Sequence, residues 1–378
     1  MTRVLFLSAS VGDGHSSAAN AVREALDEID PKSSALTVDS YRYAALVVSG
    51  VVSSGYIQMV KTIPQMYRFL YHRAERATEV GPFRTWAHQF TAGNLRALID
   101  RERPDVVVCT HAFPCGAMAE YKAAYAGAPP VMGIVTDFAV HGFWAHENVD
   151  AYAVATEALR SDLAARGIDA RRIAVTGIPV HPGFWRHPEP KAAVRRRLGL
   201  PVEGSIVLVM GGGLGIGPLE RMLCAVDDVR GCAAIVAIAG RNAKVERRAQ
   251  AVACRLRSRI YALGFIENVY DYMRACDVLV TKPGGLTAAE ALAAGIPMVL
   301  CRPLPGQEER NSRILVEAGS AIRVRAVKEL PAALDMVLSD PDRRARMVSA
   351  AATLGRPRAA EEIARLIGQM AQADEAVA

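Results

Sequence analysis

The chain has no Cys-x-x-Cys pair. Its seven cysteines stand apart at 109, 115, 224, 232, 254, 276 and 301 of 378 residues, too few and too scattered for a disulfide scaffold, so reduced structural thiols of a cytosolic protein are expected. No apolar run reaches the ~18–20 residues a spanning helix needs. The longest uncharged stretch, Tyr43 to Val60, is broken by Ser49, Gly50, Ser53, Ser54, Gly55 and Gln58, so a membrane is at most touched. Met1-Thr2-Arg3 leads straight into Val4-Leu5-Phe6-Leu7, without the longer apolar region and cleavage site of an export signal. There is no Gly-Lys pair, which excludes a P-loop, and no low-complexity segment or short-period repeat.

What is present describes a folded protein. Hydrophobic residues make up 51% and charged residues 22%, near globular averages, and the length predicts two domains. The net charge of +6 permits phosphate, nucleic acid or anionic lipid as partner and selects none of them. Its distribution is more informative. Residues 41–90 carry Arg42, Lys61, Arg68, Arg73, Arg76 and Arg84 against Glu75 and Glu79, and hold nine of the chain's 23 aromatic residues. Basic and aromatic residues interleaved in this way suit a lipid headgroup surface; a Tyr-rich helical core with a solvated basic face is the competing reading.

Short β-branched runs alternate with helical stretches, the pattern of βα units and parallel sheets. Val4–Ser8, Val106–Cys109, Val131–Thr136 and Tyr152–Ala155 read as strands of a first half, with helices over Ser16–Glu28, Pro114–Tyr125 and Glu157–Arg166 and a helical insertion over 41–101. A Pro/Gly/His-rich passage from Gly177 to Pro190 reads as a linker. The pattern then restarts with Ile206–Met210, Ala234–Ala239, Tyr261–Leu263, Val278–Thr281, Pro297–Cys301 and Ala321–Val324, followed by a helical tail. The expected fold class is α/β, with a domain over 1–186 and another over 187–378, both Rossmann-like; the last helix is a candidate to pack back on the first domain.

Four loops carry candidate chemistry. The first strand ends in Ser8-Ala9-Ser10-Val11-Gly12-Asp13-Gly14-His15, where glycines before a helix N-terminus admit an electron-rich ligand. Ser17 stands where the dinucleotide fingerprint needs its last glycine. His15 has a pKa range suited to general-base work; a capping histidine is the alternative. The run from Gly211 through Gly212 and Gly213 to Gly217 also misses the fingerprint. Thr281-Lys282-Pro283-Gly284-Gly285-Leu286-Thr287 leads into a helix whose free amides and Thr287 hydroxyl suit a diphosphate, with Glu290 on the same face to take the hydroxyls of a ribose. Gln307 and Glu308 begin a polar cluster of the sort that hydrogen-bonds a sugar. Each of these, taken alone, reads equally as an ordinary capped turn.

The ordered set is more specific than its parts. Gly12-x-Gly14-His15, the insertion with Tyr56, Lys61, Pro64 and Tyr67, Thr136-Asp137-Phe138 with His141 and Trp144, the glycine loop from 211, Gly264–Asn268, Lys282–Glu290 and Pro305–Asn311 together resemble glycosyltransferase family 28. Within it they resemble the diacylglycerol glycosyltransferases, the monogalactosyl- and processive glucosyl-diacylglycerol synthases. The resemblance implies the GT-B fold, two Rossmann-like domains facing across a cleft, and inverting transfer of glucose or galactose from UDP-glucose or UDP-galactose to diacylglycerol. It implies an enzyme that is cytoplasmic and peripheral on the inner face of the cell membrane, bound to an anionic lipid surface, with no nucleic acid, no cofactor and no essential metal.

By the same resemblance Phe265 and its neighbour Ile266 place the uracil, Gly285 and Thr287 the diphosphate, Glu290 the ribose, and Gln307 with Glu308 the sugar, with Gly212, Gly213 and Gly284 also expected on the donor side. Tyr56, Lys61, Pro64, His141 and Trp144 fall on the acceptor and membrane side. His15 is the first choice for the base, with Asp137 as rival or as the group orienting the imidazole. Asp13 stands where the plant galactolipid branch carries a run of three glycines, and Arg310 also departs from the plant pattern. The only Asp-x-Asp, Asp340-Pro341-Asp342, reads as a helix start. A lipid-II-type N-acetylglucosaminyltransferase and a UDP-sugar 2-epimerase are the alternatives on the same fold; a noncatalytic lipid binder and an NAD oxidoreductase fit less well.

Overall fold

The computed structural model describes residues 1–9, 13–43, 82–186, 189–212, 218–303 and 306–375. The chain divides into two compact units. Unit 1 comprises 1–180 with 305–307 and 358–378, and unit 2 comprises 181–304 with 308–357.

Unit 1 is built on a six-stranded sheet in the order β2-β1-β3-β4-β5-β6, with β1 Arg3–Ser8, β2 Ser34–Asp39, β3 Val106–Cys109, β4 Val131–Ile134, β5 Ala151–Val154 and β6 Ile173–Val175. Every pairing is parallel. The central strands are continuous apolar runs because both faces are covered by helices. Helix α1, Asp13–Ile29, buries Ala18, Ala19, Ala21, Val22, Ala25 and Leu26 along one stripe, the spacing that a 3.6-residue period directs to a core. Ile363, Ala364 and Ile367 of the terminal helix, Ala359–Glu375, belong to the same apolar cluster as α1 and the strand residues Phe6, Val108 and Ile134. The described part of 41–101 includes the helix Pro82–Glu102.

Unit 2 repeats the plan in the order β12-β11-β10-β7-β8-β9. Its strands are β7 Ser205–Met210, β8 Cys232–Ile238, β9 Arg259–Leu263, β10 Val278–Thr281, β11 Met298–Cys301 and β12 Ala321–Val324, again all parallel. Asp277 pins the entry of β10: it accepts from Arg195 Nη2 at 2.7 Å, Lys191 Nζ at 2.8 Å and the Ile206 amide at 2.8 Å. Asp340 caps the helix Pro341–Leu354 through the Arg343 amide at 2.9 Å, so the Asp-x-Asp is a helix start.

Both sheets contain a point where successive connections leave in opposite directions. In unit 1 the chain goes from β1 outward to β2 and returns to β3 on the other side of β1. In unit 2 it goes from β7 out to β8 and β9 and returns to β10 on the other side of β7. Loops at the carboxyl ends of such strands diverge and leave a crevice in which α/β proteins hold ligands. These loops are the one before α1 with Thr110 and His111 in unit 1, and Gly211-Gly212 with Lys282–Gly284 in unit 2.

Among the described residues no helix is long and apolar enough to cross a membrane.

Candidate active site

The crevice of unit 1 is organised around His15. It lies in the first turn of α1, and its Nδ1 is 2.8 Å from the Thr110 carbonyl oxygen and 2.9 Å from Thr136 Oγ1. A carbonyl only accepts, so Nδ1 carries the proton and donates it to Thr110. Nε2 is then the bare, proton-accepting nitrogen. Burial, partly offset by the Thr110 contact, holds the His15 pKa down to about 4, so the ring is neutral at pH 7. A fixed tautomer in a neutral ring is the state a general base requires.

His111 backs this imidazole, edge to face with ring centroids 4.7 Å apart. Its own Nδ1 accepts from the Phe113 amide at 3.1 Å and caps the helix Ala112–Ala124. Burial first, and then the neighbouring His15 and His141, hold its pKa well below the ordinary histidine value.

Asp137 follows Thr136 in the loop after β4 and is half-buried. The Nδ1 partners of His15 are Thr110 and Thr136, and these two orient the imidazole. His141 precedes the short 3-10 turn Gly142–Trp144 and lies half-buried beside Phe143, with ring centroids 5.1 Å apart. Trp144 corrects an expectation. It is 3% exposed, and its carbonyl accepts from Tyr152 Oη at 2.7 Å, so this ring fills the core and presents no lipid-facing surface. Tyr56, Lys61 and Pro64 lie outside the described residues.

The crevice of unit 2 presents a different set of groups. Gly212 has φ +74°, and a Cβ there would stand 3.1 Å from Lys282 Cε; a side chain at 212 would be strained and would press on the lysine. Gly213 lies outside the described residues. The helix Gly285–Ala294 begins after Gly284 with no side-chain cap. Its first amides, Gly285, Leu286 and Thr287, have no carbonyl one turn earlier in the helix to bond, and among the described residues no group bonds the Thr287 hydroxyl. Glu290, one turn further on, has a pKa raised by burial to about 8, and no described group hydrogen-bonds its carboxyl. Unpaired, desolvated acids of this kind mark functional sites.

Other candidate residues lie on the loops after β8, β9 and β11, with Gln307 counted in unit 1. Phe265 is 45% exposed, with the Arg241 guanidinium 3.6 Å from its ring centroid; Ile266 beside it is half-buried. Gln307 is half-buried at the start of the helix Gln307–Glu317. Glu308, buried, accepts from Lys282 Nζ at 2.6 Å, and Asn311 Nδ2 donates to the Pro283 carbonyl at 3.1 Å. The loops after β10 and β11 are thereby tied together. Among the described residues no three His, Cys, Asp or Glu side chains are grouped to hold a metal ion.

Sequence reasoning missed Thr110, His111, Arg241 and Lys282 as members of these sites. Their one available signal was position, each being within three residues of the carboxyl end of a strand.

Comparison with known proteins places both halves. Residues 15–180 match the monogalactosyldiacylglycerol (MGDG) synthase family and residues 193–354 match glycosyl transferases group 1. The chain is 30% identical over 352 residues to the processive diacylglycerol beta-glucosyltransferase of Bacillus subtilis (strain 168), covering 91% of this chain and 89% of that protein. It is 28% identical over 365 residues to the protein of the same name from Bacillus thuringiensis (strain Al Hakam), covering 96% and 92%.

Among solved structures it is similar to MurG of Acinetobacter baumannii, with TM-score 0.63 and 16% identity over 98% of this chain and all of that one. MnaA of S. aureus, in a co-structure with UDP, gives TM-score 0.64 and 16% identity, covering 98% and 96%. These likenesses show the GT-B fold with its two Rossmann-like domains. Taken with a relative 30% identical along about nine-tenths of both chains, they establish that the protein is a glycosyltransferase and that it belongs to the diacylglycerol glycosyltransferases of family 28, the type that comprises monogalactosyldiacylglycerol synthases and processive diacylglycerol glucosyltransferases.

Proposed function

We propose that the protein transfers glucose from UDP-glucose to the hydroxyl of diacylglycerol with inversion at the anomeric carbon, UDP-galactose being the alternative donor. It works as a peripheral enzyme on an anionic lipid surface at the inner face of the cell membrane, and it needs no divalent ion. The observation that carries the reading is a group of polar atoms in unit 2 that have no partner among the described residues: uncapped amides, a hydroxyl and a carboxyl, arrayed over the first two turns of one helix. A diphosphate satisfies the amides and Thr287, and a ribose offers its hydroxyls to Glu290. Phe265 offers an exposed ring to the uracil, and Gln307 meets the sugar. The names of the Bacillus relatives favour glucose.

Unit 1 supplies the base. His15 Nε2 takes the proton of the acceptor hydroxyl as its oxygen attacks the anomeric carbon, and the Nδ1–H bond to Thr110 steadies the imidazolium that forms. A correctly placed base accounts for about 10²–10⁴-fold in rate. Asp137 is the alternative base.

Product formation from diacylglycerol in anionic vesicles, with UDP-glucose and UDP-galactose in parallel and EDTA present, tests the reading. A β-linked glucosyldiacylglycerol is expected from UDP-glucose. Product from UDP-galactose alone would reassign the donor, and no lipid product from either would refute the acceptor. Activity lost to EDTA and restored by a divalent ion would refute metal independence.

A further inference from the structure

We infer that Tyr152 is a positioning residue for the acceptor: its buried hydroxyl sets the turn through which His141 is presented to the crevice of His15. This rests on reading unit 1 as the acceptor half of the proposed reaction. The segment 135–150 leaves β4 at the carboxyl edge of the sheet and returns as β5. Its first part reaches the base, with Thr136 Oγ1 2.9 Å from His15 Nδ1. Further along, His141 stands close enough to His111 to help hold that ring's pKa down, after burial and His15, and His111 lies edge to face with His15. The segment therefore borders the crevice at two places, Thr136 and His141.

Thr136 is held by the strand it extends, the Val135 amide donating to the Ala153 carbonyl at 2.9 Å. His141 lies beyond the strand, and its backbone is held through a relay. Its carbonyl accepts from the Trp144 amide at 3.1 Å. The Trp144 carbonyl in turn accepts the one phenol proton of Tyr152 at 2.7 Å, the shorter of two contacts, the other being the His146 carbonyl at 3.2 Å. The same oxygen accepts from the His146 amide at 3.1 Å. One hydroxyl thus holds both ends of the turn 144–146 and, through Trp144, the backbone of His141. The bonds from Arg172 to the Glu147 carbonyl and from Asn148 to the Ala119 carbonyl attach beyond this turn.

The sheet is shaped to admit the phenol. Tyr152 is fully buried and pairs with Gly133 of β4, where a Cβ would stand 2.9 Å from Cδ1 and Cε1 of the ring. A glycine inside a central strand weakens it and marks such a close approach. Burial also pushes the Tyr152 pKa well up, so the proton that Trp144 receives stays on the phenol. An apolar ring would fill the same space. The hydroxyl adds a single geometry for the turn, because any other would leave buried backbone groups unmet.

The test uses the full chain with Tyr152→Phe, His141→Ala and the double variant. UDP binding is read by calorimetry, folding by the thermal midpoint, and transfer from the UDP-hexose that wild type uses, at saturation, as the mole fraction of diacylglycerol in anionic vesicles is varied. Tyr152→Phe keeps the ring and removes the anchor; it should lower kcat/KM for diacylglycerol about tenfold, with UDP affinity within twofold of wild type. His141→Ala should lower it at least as much. The double variant should fall within twofold of His141→Ala, since a residue that acts through another adds nothing once that other is gone.

Diacylglycerol kinetics within twofold of wild type in Tyr152→Phe overturn the inference. A double variant whose loss is the product of the two single losses also overturns it, because Tyr152 is then a structural residue independent of His141. If Tyr152→Phe does not fold, Gly133→Ala, which keeps the hydroxyl and displaces the ring, takes its place, and wild-type acceptor kinetics there overturn it. A wild-type chain that makes no glycolipid from UDP-glucose or UDP-galactose overturns the reading of unit 1 and this inference with it; one that makes glycolipid and is indifferent to Tyr152 overturns this inference alone.

Discussion

The two units share a topology and use its switch point in opposite ways. In unit 1 the imidazole is held from within the protein: both contacts of the His15 Nδ1 come from Thr110 and Thr136, and the result is one defined tautomer. In unit 2 the crevice is left incomplete among the described residues, with uncapped amides, a Glu290 carboxyl without a partner and a Lys282 ammonium with one bond, to Glu308. A base has to be fixed in one state before the substrate arrives. A binding site gains affinity from groups that only the ligand completes, because each of them is costly while it is buried and unmet. The same backbone device therefore holds a fixed imidazole in one unit and, among the described residues, a set of unfilled polar groups in the other.

Mutations should separate the two behaviours. The largest effect is expected from His15→Ala, which should lower kcat about 1,000-fold or more while UDP binds within twofold of wild type; near-normal turnover would reassign the base, with Asp137→Asn the next variant to assay. Glu290→Ala should act in the reverse sense, weakening UDP about 10- to 100-fold, the loss expected for hydrogen bonds to a charged group. For Thr136→Val, loss of one of the two contacts at Nδ1 should cost about tenfold in kcat, with UDP affinity unchanged. The smallest effect should be Gly212→Ala, where a non-glycine residue at φ +74° costs about 1–2 kcal/mol; it should appear as a fall of a few degrees in the thermal midpoint of unit 2, and an unchanged midpoint would show that the loop yields.

Acidity adds a second contrast. The His15 pKa falls on folding from 6.5 to about 4, so between those values the unfolded chain binds more protons and stability is lost as the pH falls through that window. Glu290 rises from 4.5 to about 8, so the folded state binds more protons there and stability is lost as the pH climbs through its window. The two contributions oppose each other between about pH 4.5 and 6.5. Glu290→Gln should remove the alkaline loss and leave the acid one; a scan of thermal midpoint against pH checks both.

Much of the fold was legible because central parallel strands are buried on both faces and read as unbroken apolar runs. Val106–Cys109, Val278–Thr281 and Ala321–Val324 were bounded to the residue. The two edge strands of unit 1 were not read. β2, Ser34–Asp39, has no fully buried residue and mixes polar with apolar positions, and β6 is three residues long, so neither forms an extended apolar run.

Glycines and helix starts made the positions at the carboxyl ends of the strands legible, at His15, Gly212, Gly284, Gly285, Thr287 and Glu290. It was illegible where the partner is distant in sequence: Thr110 is 95 residues from His15 and Thr136 is 121, and nothing local in the chain announces either contact. Trp144 misled for a related reason. An aromatic of this kind suits a headgroup surface as well as a core, and here the residue is buried, with its carbonyl accepting from the Tyr152 hydroxyl.

The most direct test of the contrast between a fixed imidazole and a set of unfilled polar groups is UDP binding to the wild-type chain measured from pH 6.5 to 9, with proton release followed in buffers of different ionisation enthalpy. If Glu290 waits buried and protonated for ribose hydroxyls to complete it, UDP must drive its ionisation. Affinity should then rise with pH up to about 8 and level off above it, and at pH 7 close to one proton should leave per UDP bound; both effects should vanish in Glu290→Gln. Binding that is flat with pH and releases no proton, or that keeps its pH dependence in Glu290→Gln, would contradict the account.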